Sequence, residues 1–423
     1  MRNKSIRDAL VAAGYEFVQF EPKIPGTRDL RPDAVAWAAN SQGTLVPWAV
    51  VEVKASSAVI RPEAGLSALA RARDMLGTVD HYVVVNGTEW YRTDAGIQRL
   101  TAVDGPAPPP HGGEGEITDV DLVTTMLADE LWKAAARSRD KGRPTVDSDF
   151  SPDIVLGLNN LRTVTGSLVP VNEETLWQAR RQAVIQFERR GREAGLFTSH
   201  KAVAQAVAQL AGSNLTRDLL DPFCGAGSFL WEAIDYAQKQ GIGLYTVLGC
   251  DINQRMADVA RSIGSVSPVP VEIVTADAFL NEDLPLSTCV VSAPPLGLRM
   301  QEDRELLDGS TTRDGDVVAL DRIVQLLVDG GRAVLHLPAG ITFRRNAERY
   351  RRFLATRYRV AAILGLPAGA VHGTGIRSVL MVIDNTAPTD TFIAQLGEDW
   401  ESQLAPGGAA LEAALTHING DQQ

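Results

Sequence analysis

Five groups of residues in this chain have the types and spacing that chemistry needs. Asp33 opens one apolar run, and Glu52 and Lys54 lie two apart in another, so they share one face of an extended strand. Two carboxylates on adjacent strand ends can hold Mg²⁺, which favours hard oxygen ligands, while a lysine beside them orients a water that the metal activates. A second group, Asp221-Pro222-Phe223-Cys224-Gly225-Ala226-Gly227-Ser228, follows a short apolar run and opens a helix. Glycines there let the backbone approach a small molecule closely, and the helix start offers free N–H groups. A third group ends the next two apolar runs: Asp251, a carboxylate able to accept both hydroxyls of a ribose, and then Asp277 with Phe279, a carboxylate and a ring for an adenine. Leu230 stands where the third glycine of a dinucleotide fingerprint would be, which argues against NAD. Fourth comes Ser292-Ala293-Pro294-Pro295-Leu296. The fifth is a basic run holding Arg344, Arg345, Arg349, Arg351, Arg352, Arg357 and Arg359 against a single acid, Glu348. In a chain of net charge −11 that run is the segment expected to meet DNA phosphates, with Arg189, Arg190 and Arg192 as a lesser patch.

The elements that must position these groups can be read from periodicity. Hydrophobic content of 45% and charged content of 22% are those of a folded protein, and 423 residues suggest about three domains. A helix is predicted over 6–13, strands over 16–20, 34–38 and 48–53, a helix over 62–76, and strands over 82–85 and 89–92. That makes an α/β domain over 1–104, closed by a Pro/Gly linker at 105–116. Residues 117–194 read as a helical region with a polar loop at 140–152. From Asp218 onward short apolar runs alternate with helical ones, the pattern of a mostly parallel sheet wrapped by helices. A domain is expected over 195–387, then a strand and helix extension over 388–423.

Composition also excludes several classes. Lys+Arg 41 against Asp+Glu 52 does not suit a protein that coats nucleic acid by bulk charge. Three cysteines without CxxC spacing supply neither a disulfide framework nor a zinc cluster. No apolar run reaches the roughly 18 residues that span a bilayer, and the N-terminus lacks a signal-peptide core. The expectation is a soluble cytoplasmic protein with no membrane partner.

The ordered motifs resemble the S-adenosylmethionine-dependent adenine-N6 DNA methyltransferases, above all the modification subunits of type I restriction systems. The likeness runs from Gly195-Leu196-Phe197-Thr198 through the Asp221 loop and Gly330-Gly331-Arg332-Ala333-Val334. It continues through Ile363-Leu364-Gly365-Leu366-Pro367 and His372-Gly373-Thr374-Gly375-Ile376 to Leu380-Met381-Val382-Ile383. This resemblance implies a Rossmann-like methyltransferase domain whose cofactor, S-adenosylmethionine, is held by Phe197, Thr198, Asp221, Pro222, Gly225 and Gly227. Asp251 would take its ribose, and Asp277 with Phe279 its adenine.

The family's chemistry sits in an Asn or Asp followed by Pro-Pro and an aromatic, which bonds the amino group of a flipped adenine and stacks on the base. Here Ala293 replaces the acceptor and Leu296 the aromatic around Pro294 and Pro295. Alanine accepts no hydrogen bond, and losing the ring gives up roughly 1–3 kcal/mol of stacking. The resemblance therefore implies methyl transfer that is impaired or absent. The N-terminal domain in turn looks like the PD-(D/E)xK nuclease fold, with Asp33 and Glu52 on the metal and Lys54 beside them; Tyr82-Val83-Val84-Val85-Asn86-Gly87 and Trp90 fit that likeness.

Together these readings predict a Mg²⁺-dependent DNA endonuclease domain fused to a methyltransferase-like module, a restriction-like defence protein. One alternative is a working adenine methyltransferase with a separate specificity subunit, since the 39 residues after Asp384 are too few for a target-recognition domain. Another is an inert scaffold that senses DNA or cofactor. DNA and a specificity subunit, or a second copy of the chain, are the expected partners.

Overall fold

The structure, a computed structural model, describes residues 2–15, 17–22, 31–54, 61–140, 160–162, 168–190, 198–371 and 374–420. The chain divides into two compact units, residues 1–150 with 157–184, and residues 151–156 with 185–423. Among the described residues, no helix is long and apolar enough to cross a membrane.

In the first unit the helix Arg2–Ala12 precedes an antiparallel meander of β1 (Phe17–Phe20), β2 (Ala34–Ala39) and β3 (Leu45–Lys54). The helix Leu66–Leu76 then returns the chain so that β4 (Asp80–Val85) runs parallel to β3. Strands β5 (Glu89–Thr93) and β6 (Leu100–Val103) complete a six-stranded sheet in sequence order. Small and branched residues dominate its middle: Ala34, Ala36, Ala49, Val51 and Val84 are buried against Ile6 and Leu10 of the first helix. Such side chains pack well on a pleated surface, so a run like Val83-Val84-Val85 reads and folds as a strand.

The Pro/Gly stretch expected to be a linker lies inside this unit. Ala107 N donates to Tyr82 Oη at 2.9 Å, and Leu45 N donates to Glu116 O at 2.9 Å. Prolines remove donors from a segment but leave its carbonyls and remaining N–H groups free to bond the sheet beside it. The region predicted as helical contains the helices Val120–Asp140 and Glu173–Arg190, yet also an antiparallel pair, β7 (Asn160–Arg162) with β8 (Leu168–Pro170). The turn signal Thr165-Gly166-Ser167 between those strands was outweighed in the sequence by the helical periodicity flanking it.

The second unit carries β9 (Arg217–Asp221), β10 (Leu244–Asp251), β11 (Val271–Thr275) and β12 (Ser287–Ser292), then a hairpin of β13 (Arg299–Glu305) and β14 (Thr311–Asp314). After these come β15 (Leu327–Pro338), β16 (Arg359–Leu366), β17 (Ser378–Asp384) and β18 (Phe392–Gln395). Eight strands form one sheet in the order β11-β10-β9-β12-β15-β17-β16-β18, with β17 antiparallel to both neighbours. Helices Ser228–Gln240, Gln254–Gly264, Gly315–Gln325 and Glu348–Arg357 connect the strands. Leu220, Val290, Leu335 and Ile383 from four strands meet Val317, Leu320 and Ile323 in one core. Strand order reverses between β9 and β12, and in an open α/β sheet the crevice outside that point is where ligands bind.

At the opposite end of the central strands, Arg332 Nε donates to Asp384 Oδ1 at 2.7 Å, and Arg359 Nη1 donates to Asp384 Oδ2 at 3.2 Å. All three residues are buried. Removing one partner of such a group leaves uncompensated charge in a low dielectric, which costs about 3–5 kcal/mol. Asp384→Ala is therefore expected to lower the denaturant midpoint of unfolding substantially, whereas an unchanged midpoint would show the cluster to be dispensable.

Candidate functional site

A cavity of about 350 Å³ opens at the reversal point of the second sheet, within the size range of small-molecule sites. Its walls come from the ends of β9, β10, β12 and β15, so sequence-distant groups meet there. On one side stand Thr198, Asp221, Phe223, Gly225 and Asp251; on the other stand Ala293, Pro294, Pro295, Leu296 and His336. Val371, Thr374 and Ile376 close the mouth. Thus Thr198, Asp221, Gly225 and Asp251 and the whole altered tetrapeptide share one cavity.

The glycine loop is held tightly. Gly227 sits at φ +87°, and a Cβ placed there would come within 2.3 Å of the Trp231 indole, so only glycine lets the loop turn into the helix here. Trp231 Nε1 in turn donates to Ala226 O at 2.7 Å. Gly225 N donates to Asp251 Oδ2 at 2.8 Å, and Asn253 N donates to Oδ1 at 2.7 Å, so one carboxylate fixes the tips of two strands. Ser199 N donates to Ser228 Oγ at 3.1 Å, which ties the segment of Thr198 to the helix start. Cys224 is a buried filler, and burial pushes its thiol up.

Asp221 is the electrostatic centre. Its side chain is buried, and Oδ1 accepts from Phe223 N at 3.0 Å and from Ser292 Oγ at 2.7 Å. Ser292 ends β12, so this bond joins the glycine loop to the tetrapeptide's strand; Ser292 itself does not line the cavity, since neighbouring residues of a strand face opposite ways. Burial pushes the Asp221 carboxyl up to about 7 against the pull of those two donors, and the charge of Asp251 adds to the rise.

The loop after the tetrapeptide is clamped from the other side. Gly297 N donates to Asp316 Oδ1 at 2.9 Å, while Asp316 Oδ2 accepts from Arg344 Nη2 at 2.7 Å. A Cβ on Gly315 would lie 2.5 Å from Leu298 O, so only glycine lets that helix start against the loop.

Arg344 is therefore held within the fold, and most of the arginines expected to bind phosphate have partners in the chain, Arg349 and Arg352 remaining exposed. Arg349 pairs with Asp308 at 3.1 Å, and Arg352 with Glu348 at 2.6 Å. Arg351 Nη1 donates to the carbonyls of Ile341 and Arg344. Arg359 is buried on Asp384, and the Arg357 guanidinium lies over the Tyr358 ring. Arg345 is exposed and has no ion pair among the described residues. The acids that neutralise this run, Asp308, Asp314 and Asp316, come from the hairpin and helix that precede it in the chain, beyond the reach of a local charge count.

Other expected site residues stand apart. Pro222, Gly227, Asp277 and Phe279 do not line the cavity, although the Phe279 ring packs on Phe223 with centroids 5.0 Å apart. Phe197, His372, Gly373 and Arg192 lie outside the described residues, as do the side chains of Arg189 and Arg190. Lining residues to which the sequence assigned no role include Ser199, Phe223, Ser228 and His336; His336 is the lone polar residue between Ala333 and Leu337, a signal visible in the sequence.

In the first unit, Asp33 at the head of β2 and Glu52 with Lys54 on β3 do come together. Asp33 Oδ2 accepts from Val53 N at 2.6 Å, and Lys54 Nζ donates to Glu52 Oε2 at 2.8 Å. Burial first, then the charge of Asp33, raises the Glu52 carboxyl against the pull of Lys54. Among the described residues no group of three or more His, Cys, Asp or Glu side chains could hold a metal ion, so any ion here would rest on two carboxylates.

Comparison with known proteins bears on the second unit. The family described as N-6 DNA Methylase matches residues 182–400, just over half of the chain. The chain is 25% identical over 217 residues to the type I restriction enzyme EcoEI methylase subunit of Escherichia coli, covering 46% of this chain and 44% of that one. It thus spans less than half the length of that curated relative. Among solved structures, a Listeria monocytogenes protein described as a class I S-adenosylmethionine-dependent methyltransferase superposes with a TM-score of 0.56 at 13% identity, over 70% of this chain and 98% of that one. A Streptococcus thermophilus type I restriction-modification methyltransferase subunit gives 0.49 at 21% identity, over 57% and 58% of the two chains. The first of these structures establishes that the sheet has the class I methyltransferase fold.

The raised Asp221 carboxyl has a consequence for stability. Its unfolded value is 3.8 and its folded value about 7, so the native state holds this proton more tightly. The stability it contributes is full below pH 3.8 and is lost as pH rises through about 7. The melting temperature of the unliganded protein should fall more between about pH 5 and about pH 8 than that of Asp221→Asn. Parallel melting curves for the two proteins would contradict this.

Proposed function

The chain belongs to the N-6 DNA methylase family, and on that premise we propose that it is the adenine-N6 methylating module of a type I-like restriction-modification assembly, binding S-adenosylmethionine and working on DNA with a separate specificity subunit. The observation that carries this reading is the single cavity in which the Asp221 loop faces Ala293-Pro294-Pro295-Leu296. The methylase-subunit relative from Escherichia coli supports the subunit role.

The residues present suit S-adenosylmethionine. Gly225 lines the cavity, and the first N–H groups of the helix Ser228–Gln240 have no intrahelical partner, which favours a carboxylate. Asp221, protonated at half occupancy near pH 7, would ionise beside an ammonium group. Each oxygen of Asp251 already accepts one backbone N–H and keeps a lone pair for a ribose hydroxyl. Asp277 and Phe279, which end the next strand, would serve the adenine, and the Phe279 ring already packs on Phe223 of the cavity wall. When bound, the cofactor supplies an electrophilic methyl group on a sulfonium. Across the cavity, the backbone carbonyls of the tetrapeptide remain to orient a target amino group, and the two prolines fix their direction.

Incubation with tritiated S-adenosylmethionine, DNA and the partner specificity subunit tests this. Label is expected in N6-methyladenine, and Asp251→Ala should weaken cofactor affinity by about tenfold or more, as expected for losing two charge-assisted bonds. No incorporation at saturating cofactor would overturn the reading.

One observation favours a second activity in the first unit. Asp33, Glu52 and Lys54 converge on neighbouring strands, in a mixed sheet whose helix crossover makes β3 and β4 parallel. We propose that this is a PD-(D/E)xK-like DNA endonuclease site in which Asp33 and Glu52 would hold Mg²⁺, the metal acting as Lewis acid for phosphodiester hydrolysis. Lys54 donates to the Glu52 carboxylate, opposing the rise that burial imposes on it, and presents its ammonium at the same strand end. Plasmid DNA should be cut in the presence of Mg²⁺ and left intact by Lys54→Ala. Equal cutting by the two proteins would remove the assignment.

A further inference from the structure

The altered tetrapeptide leaves a chemical gap, because Ala293 offers no side-chain acceptor where an adenine amino group would arrive. We infer that His336 fills it, the imidazole Nδ1 accepting from the target N6–H in place of a residue at position 293. This inference rests on the methyltransferase reading above.

Three observations point to it. Strands β12 and β15 are parallel and their ladder ends with Ser292 paired to Leu335, so Ala293 and His336 are the next residues of the two chains beyond it. Both residues line the one cavity. Second, His336 is 5% exposed and its ring is locked, with Nε2 2.8 Å from Ser378 Oγ on β17. When Nε2–H donates to that hydroxyl, Nδ1 carries the free lone pair, and among the described residues it has no hydrogen-bond partner. Third, burial pushes this imidazole down to about 4, so it stays neutral and able to accept at neutral pH.

A histidine held only for packing would leave that lone pair wasted in a strand of Ala, Val and Leu. In the reaction, the N6 lone pair forms the bond to the methyl carbon, the carbon–sulfur pair stays on sulfur, and the sulfonium becomes a thioether. The methylated nitrogen is then strongly acidic, so one N6 proton passes to Nδ1 even though this imidazole is a weak base. The imidazolium returns it to water at the cavity mouth, near Thr374 and Ile376.

The test separates binding from transfer. With sinefungin bound, adenine and purine (which lacks the 6-amino group) are titrated into the protein, and the His336 ring nitrogens are followed by long-range ¹⁵N NMR. Adenine should bind about tenfold tighter than purine and shift Nδ1. His336→Ala should erase that preference while retaining sinefungin affinity, and adding Ala293→Asn to it should restore both the preference with sinefungin bound and, in a separate assay with tritiated S-adenosylmethionine, methyl transfer to DNA. His336→Asn, which keeps an amide acceptor, serves if the alanine variant does not fold, and should retain part of the preference. If adenine shows the preference and shifts Nδ1 but no methyl is transferred, the proposed reaction fails and the acceptor assignment stands. If His336→Ala binds adenine and transfers methyl as the wild type does, the acceptor assignment and the proton route through Nδ1 are both overturned, and the methyltransferase reading stands.

Discussion

The buried carboxylate of Asp221 sits where the strand order of the sheet reverses, and Ser292 Oγ reaches it across that reversal at 2.7 Å. Few other contacts could set the site so directly. The glycine loop grows from β9 and the tetrapeptide from β12, strands already paired in the sheet through Leu219 with Cys289 and Leu220 with Val290. The Asp221–Ser292 bond carries that pairing on, through side chains, to the two strand ends from which the site's loops leave. Desolvation makes that bond matter more, since a carboxylate with its proton near neutral pH needs every donor that keeps it ionised.

Around this bond the fold uses charge as mortar. Asp316 takes the Gly297 N–H with one oxygen and Arg344 with the other, fixing the loop beyond the tetrapeptide. Asp251 spans two loops in the same manner. The cavity is thereby shaped by acids whose partners are mainly backbone N–H groups, which is why a strongly acidic chain can build it without a compensating basic surface. It also explains why the arginine run contributes structure more than free charge.

Much of this was legible in the sequence because it is local. Glycines with an acid before them and strand-ending acids after them announce a loop, two strands and a helix start; the alternation of apolar runs announces the sheet. The Asp33, Glu52 and Lys54 grouping was legible too, since two-residue spacing fixes a shared face. What escaped was tertiary. The pairing of Arg344 with Asp316 joins residues on separate elements, and the Pro/Gly stretch bonds the sheet instead of bridging domains. The hairpin of β13 and β14 carries alternate charges in place of alternate apolar residues, so periodicity did not reveal it. His336 was visible only as an oddity, a polar residue in an apolar strand, until the fold brought it into one cavity with Ala293.

The central claim is that the Asp221–Ser292 bond holds the glycine loop in the state that receives S-adenosylmethionine. Calorimetric titration of wild type and Ser292→Ala with that cofactor at neutral pH tests it most directly. Loss of the hydroxyl removes a donor that lowers the Asp221 carboxyl, so the account predicts affinity weaker by about tenfold, the worth of one charge-assisted hydrogen bond. Equal affinity for the two proteins, with both folded, would contradict it.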